Sequence, residues 1–158
     1  MKKLLAICMC LGVVGYASFC LAAAPYQKIY LKSGEIIEGL ADADTAPVGA
    51  VKIQERRTRK IHNYPRTDII RIEQYDKNGN LSEEFNYANG KKHGEYKIYD
   101  SDGHPFEEGY YEDDQQEGIR RHYYENGQVR LEKTYRDGKV IRRKEFDRAG
   151  SLISEERR

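Results

Sequence analysis

Tyr75-Asp76-Lys77-Asn78-Gly79, Tyr99-Asp100-Ser101-Asp102-Gly103, Tyr123-Tyr124-Glu125-Asn126-Gly127 and Phe146-Asp147-Arg148-Ala149-Gly150 decide the fold. Their glycines are spaced 24, 24 and 23 residues apart. A second frame lies between them: Tyr87-Ala88-Asn89-Gly90, Tyr111-Glu112-Asp113-Asp114 and Tyr135-Arg136-Asp137-Gly138, again 24 apart. Gly94 and Gly118 also match, whereas Arg142 stands where the third copy should carry its glycine. One residue is missing there, which accounts for the last spacing. A fixed period of this length marks a repeat architecture.

Two turn signals per unit mean one hairpin per unit. Asn-Gly, Asp-Gly and Asp-Asp pairs favour the positive φ that tight hairpin turns require. Gly79, Gly90, Gly94, Gly103, Gly118, Gly127, Gly138 and Gly150 are therefore predicted to be structural turn or bend positions. Between turns the chain alternates. Leu81, Phe85 and Tyr87 share one predicted strand face, with Ser82, Glu84 and Asn86 on the other. Phe106 with Tyr110, Ile119 with Tyr123, and Val129 with Leu131 and Tyr135 are read as continuing that face. Charge, Tyr99, Tyr111 and Tyr124 fall on the opposite one. Such strands suit a long antiparallel sheet with two partly wet faces, in which each hairpin depends on its neighbours.

Residues 25–74 do not share the repeat. They read as five short strands, at Lys28–Leu31, Glu35–Ala41, Val48–Glu55, Thr58–Tyr64 and Ile69–Gln74. Ser33-Gly34, Ala46-Pro47 and Pro65 mark the bends between them. Five strands in so short a span predict a small barrel. Its expected core is Ile29, Leu31, Ile36, Val51, Ile53, Ile61, Ile69 and Ile72.

Ahead of these strands, Lys2 and Lys3 precede an apolar run from Leu4 to Leu21 and then Ala22, Ala23 and Ala24. Positive, apolar and small residues in that order make a secretory signal peptide, with cleavage expected after Ala22 or Ala23. The organisation is thus a signal peptide at 1–23, a small barrel at 24–74, and about 3.5 hairpin units at 75–158. Two rival readings are an uncleaved membrane anchor and lipidation at Cys20. Gly12, Gly15 and the closing alanines favour cleavage, and Phe19 sits where a lipidation motif wants a small residue. Localisation is accordingly read as periplasmic or secreted.

Cys8, Cys10 and Cys20 all lie in the leader, so a mature chain has no disulfide, thiolate nucleophile or cysteine metal site. It carries 25 basic against 26 acidic residues, a net charge of −1. That balance gives no steering towards nucleic acid. Twelve of the thirteen tyrosines lie outside the leader and supply amphipathic area to an otherwise polar chain.

Asn89-Gly90-Lys91-Lys92-His93-Gly94, followed by Tyr96 and Tyr99, resembles the Gly-Lys-x-His-Gly segment of MORN repeats. The whole 24-residue frame is similar to the bacterial MORN-repeat variant, some of whose members are labelled antitoxin components of toxin–antitoxin systems. The likeness runs from about Tyr75 to Glu156. Asp113-Asp114-Gln115-Gln116-Glu117-Gly118 keeps only the final glycine. Ile29 to Gly39, closed by Asp68-Ile69-Ile70-Arg71-Ile72, resembles small SH3-like or Sm-like barrels of exported bacterial proteins. The resemblances imply an all-β chain: a five-stranded SH3-like barrel, then an elongated antiparallel sheet of MORN-like hairpins.

Catalysis has no visible seat. Glu83-Glu84, Glu107-Glu108, Glu112-Asp113-Asp114 and Glu155-Glu156 are adjacent in strands or turns, and strand neighbours point to opposite faces. A glycosidase needs two carboxylates facing one sugar. The Asp76 and Asp100 loops resemble calcium loops but lack the closing glutamate, and Asp and Asn are good turn formers. His62, His93, His104 and His122 show no metal spacing. Arg56-Arg57-Thr58-Arg59-Lys60 reads as a charged connection or edge strand before it reads as a polyanion site. No catalytic residue, cofactor or metal is predicted.

The expected function is non-enzymatic: a protein-binding or scaffolding module whose partner is another protein of the cell envelope. Tyr96, Tyr99, Tyr111, Tyr123, Tyr124 and Tyr135, with Arg120 and Arg121, are the candidate interaction surface, because Tyr and Arg dominate protein interfaces. Cross-strand packing is the competing role for at least half of them. The MORN likeness implies membrane-surface association as the alternative, and antitoxin-like binding of an exported toxin as a further one.

Overall fold

The computed structural model describes residues 25–42 and 49–158. The leader with its cysteines and the Ala46-Pro47 bend lie outside the described residues. Twelve strands follow in chain order. Five come from the first module: β1 (Tyr26–Leu31), β2 (Ile36–Asp42), β3 (Ala50–Glu55), β4 (Ile61–Pro65) and β5 (Ile69–Tyr75). Seven come from the repeats: β6 (Leu81–Ala88), β7 (Lys91–Tyr99), β8 (Pro105–Glu112), β9 (Gln115–Tyr123), β10 (Val129–Arg136), β11 (Lys139–Phe146) and β12 (Leu152–Arg157). They make one antiparallel sheet, ordered β12 down to β5 and then β1, β2, β3, β4. There is no α-helix among the described residues; one 3-10 turn, Arg66–Asp68, leads into β5.

The turns have the predicted chemistry. Asp76 N–H bonds the Asn80 carbonyl at 2.9 Å and Gly79 N–H returns to the Asp76 carbonyl at 3.1 Å. Gly79 closes this three-residue loop at φ 86°, a left-handed angle that glycine adopts without penalty. The same loop recurs at Gly103, Gly127 and Gly150. The alternate turns place two consecutive residues at positive φ: Asn89-Gly90, Asp113-Asp114 and Asp137-Gly138. Asp113 and Asp114 reach 50° and 71° without glycine, as short side chains that bond locally can.

The strands predicted to form a barrel are present, but they run as one curled end of the open sheet. Among the described residues no ladder joins β4 to β5, the strands that closure would unite. Ile29, Leu31, Ile37, Ile53 and Ile69 are at most 6 % exposed, and Val51, Tyr64, Ile72 and Tyr87 pack against them. A flat single sheet leaves both faces wet, so this burial requires the strands to bend over their own face. Gly39 lets them bend: a Cβ there would stand 2.4 Å from the Gln54 carbonyl oxygen.

Two members of the predicted core are corrected. Ile36 and Ile61 are each 56 % exposed, and Ile37 is buried instead. Ile37 pairs with Ile29 on the inner face, whereas Ile36 pairs with Tyr30 on the outer one. Ile61 is opposite Gln54, so the inward parity of β4 belongs to His62 and Tyr64. The strand predicted from Thr58 begins only at Ile61. Arg56 to Arg59 form the turn out of β3, with Arg59 at φ 60° and its N–H on the Glu55 carbonyl. That cluster is a charged connection.

Candidate functional site: a sheet with two unlike faces

Direct cross-strand partners share a face, so the register sorts the repeat residues into two surfaces. On one, Glu84 faces Lys97, Lys97 faces Glu108, Glu108 faces Arg121, Arg121 faces Glu132, Glu132 faces Lys144 and Lys144 faces Glu155. The charge alternates at every strand because each repeat supplies one acid and one base. Arg121 bridges Glu108 and Glu132 at 3.3 Å each, and Lys144 meets Glu132 at 3.4 Å. Two tyrosines 24 residues apart complete the pattern: Tyr99 donates to Glu84 at 3.3 Å and Tyr123 donates to Glu108 at 2.5 Å. Burial and the Glu108 carboxylate push the Tyr123 hydroxyl up to about 12.

The row begins with like charges, since Glu73 faces Glu84. Arg71 resolves them, reaching Glu73 at 2.7 Å and Glu84 at 2.6 Å. Burial pushes the Glu73 carboxyl up. Hydroxyl donation from Tyr75 and Tyr30, with Arg71 alongside, more than offsets it and leaves the group below the usual range.

The other face is aromatic at its start. Phe85 faces Tyr96 and their rings stack at 5.3 Å, while Tyr111 lies 5.0 Å from Tyr96. The Lys92 ammonium sits 3.7 Å from the centre of the Phe85 ring, a cation–π contact. Gly109 faces Tyr96, and a Cβ there would stand 2.8 Å from the ring. The tyrosine covers the glycine, a pairing that only side-chain absence permits. Further along, the buried Glu107 receives hydrogen bonds from Tyr96 and Arg120, both at 2.7 Å, with His122 Nδ1 at 3.3 Å. Burial lowers the His122 pKa against the pull of Glu107.

The predicted interaction residues are thus divided. Tyr96, Tyr111, Tyr135 and Arg120 share the aromatic face; Tyr99, Tyr123 and Arg121 share the ion-pair face. Tyr124 bonds the Phe146 carbonyl at 2.9 Å. Tyr96 and Tyr135, 2 % and 9 % exposed, are packed and offer no direct contact surface, a correction set by their burial against neighbouring strands. The others are half-buried.

The face assigned to Tyr110 is also corrected. Tyr111, opposite Gly94, joins Phe85 and Tyr87, while Tyr110 lies with Ile119 on the ion-pair face. Tyr110 and Ile119 are 38 % and 43 % exposed and line a shallow groove of about 250 Å³ with Glu95, Lys97, Glu108 and Arg121. Sequence reasoning missed this apolar patch, although counting the 24-residue frame from Tyr87 lands on Tyr111 and would have freed Tyr110.

The acids do not converge. Glu107 and Glu108 point to opposite faces, and the two buried carboxylates, Glu73 and Glu107, also lie on opposite faces. Asp100, Asp102 and His104 bring three ligand-type atoms within 4.8 Å. Asp100 Oδ1 already accepts the Asp102 and His104 N–H groups at 2.9 Å. Asp76 and Asp147 make the same turn bonds without that ligand set, so the turn itself accounts for the aspartate.

No curated protein matches the chain. Three consecutive stretches do match a family model, each covering two strands around one of the Gly79, Gly103 and Gly127 turns. The first starts inside β5, which therefore belongs both to the curled end and to the first repeat. Repeats of this kind are generally non-catalytic modules that bind proteins or membranes. Residues 71–89, 92–113 and 116–137 each match the MORN repeat variant, as three consecutive repeats.

Proposed function

We propose that this chain is an exported, non-enzymatic binding or scaffolding module of the cell envelope, and that the ion-pair face around Tyr110 and Ile119 is its protein-contacting surface. The carrying observation is the exposure of a tyrosine and an isoleucine side by side within a row of neutralised charges. An apolar centre ringed by polar groups is the anatomy of a protein interface. The signal-peptide pattern at residues 1–23 supports export. The curl of β1–β5 about one aliphatic cluster supports reading the first module as SH3-like, a rigid end to which the repeats are hydrogen-bonded.

Cross-linking capture from an envelope extract, with Tyr110→Ser/Ile119→Ser in parallel, tests the surface. Loss of the captured partner in the double variant is expected; equal capture by both proteins refutes this location. Flotation with liposomes separates the membrane alternative, which requires the chain to rise with the lipid. The mass of the exported chain reports cleavage after Ala22 or Ala23.

A further inference from the structure

The β10–β11 hairpin departs from the charge alternation of the ion-pair row. Lys133 faces Arg143 and Arg136 faces Lys139, two cation pairs placed directly opposite each other, and Lys133 also faces Arg120 of β9. Neither β6–β7 nor β8–β9 contains one. Strands lie about 4.8 Å apart, and like charges across that gap are destabilising. The neighbourhood relieves this only partly. Arg143 reaches Glu145, yet its Nε is buried without a hydrogen-bond partner. Among the described residues no carboxylate pairs with Lys133, Arg136 or Lys139. A recess of about 310 Å³ opens beside Lys133, Val140, Arg143 and Arg158, with Glu156 on its rim. Residues 128–158 carry ten Lys or Arg against six Asp or Glu, whereas residues 71–127 carry seven against fourteen.

From this we infer that the aromatic-face side of the β10–β11 hairpin is a docking surface for an acidic, extended stretch of a partner protein, whose carboxylates pair with Lys133 and Arg143. The inference rests on the protein-binding reading and adds the chemistry of the partner. Charge complementarity selects the occupant. A carboxylate over the Lys133–Arg143 pair offsets the repulsion through charge-assisted hydrogen bonds to the solvent-facing side of the ammonium and guanidinium groups. Arg136 and Lys139 are one residue removed from Tyr135 and Val140 and lie on the opposite face, so such a peptide engages the Lys133–Arg143 pair alone.

A fluorescent decaglutamate peptide, titrated into the purified full chain at low salt, tests the site. Lys133→Glu/Arg143→Glu is expected to weaken binding by about tenfold or more, whereas Arg136→Gln/Lys139→Gln, on the opposite face, should change it by less than about twofold. The charge-matched control Arg57→Glu/Arg59→Glu, in the other basic turn, should leave it unchanged. Equal weakening by the control, or displacement of the peptide by millimolar inorganic phosphate, overturns the inference. So does binding of phosphatidylglycerol vesicles that Lys133→Glu/Arg143→Glu abolishes while decaglutamate binding persists. In the envelope capture, a partner retained by Lys133→Glu/Arg143→Glu overturns this site alone; no partner for the wild-type chain sinks the broader binding reading.

Discussion

β6–β7 and β10–β11 occupy the same repeat frame and carry opposite chemistry at its centre. In the first, the central pair on the aromatic face is Phe85 opposite Tyr96, stacked and buried. In the second, it is Lys133 opposite Arg143, both half-exposed. The backbone is not what distinguishes them, since both hairpins run from a Gly-closed loop to a positive-φ turn. Cover is. β6 lies beside the curled end, where Tyr87 packs on the aliphatic cluster, and side chains there exclude water from one another. Among the described residues the aliphatic cluster does not extend to β10–β11, and the Lys133–Arg143 pair there meets solvent or a partner. A repeat frame therefore fixes turns and register, while the chemistry of each unit follows what lies above it.

The strongest way to break that comparison is truncation at the two equivalent centres. Phe85→Ala should cost about 3–5 kcal/mol in chemical denaturation, the loss of a buried aromatic ring together with the cavity it leaves. An effect under 1 kcal/mol would mean the aromatic face is not a core. Tyr96→Phe should cost about 1–3 kcal/mol, because it removes a donor from the buried Glu107 carboxylate. Full stability in that variant would place the Glu107 contacts with Arg120 and His122 in sole charge of the site.

Gly79→Val and Gly127→Val should each cost about 1–2 kcal/mol, since φ is 86° and 79° there. Unchanged melting temperatures for both would contradict the loop geometry. The pH dependence sharpens the comparison further. The folded His122 pKa lies below its unfolded value of about 6.5, so the unfolded chain binds the extra proton. Its contribution is present above pH 6.5 and is lost as pH falls through and below that value. His122→Asn should flatten the stability slope below pH 6.5, and an unaltered slope would exclude His122 as its source. The smallest effect belongs to Lys133→Leu, expected within about 0.5 kcal/mol of wild type or slightly stabilising, because it removes a like-charge opposition.

Much of this fold was legible from residues alone. The glycine and Asn-Gly spacing announces hairpins because positive φ is a local steric property that glycine and short polar side chains satisfy. The 24-residue period announces an array because identical frames pair in identical register. Face assignment was legible only where the frame was followed strictly. Tyr110 and Tyr111 are adjacent aromatics, and local alternation cannot tell which points inward beside a bulge. The doublet Ile36-Ile37 posed the same question and met the same answer, through its pairing with β1.

The sequence by itself determined where the chain turns and that it pairs antiparallel. Those follow from short-range sterics and from a pattern that repeats. Tertiary structure alone decided that β1–β5 curl at one end of an open sheet, that Tyr96 and Tyr135 are packing residues, and that Lys133 and Arg143 stand opposed. Each depends on which strand lies beside which, and a one-residue change of register would have sent every one of those side chains to the other face.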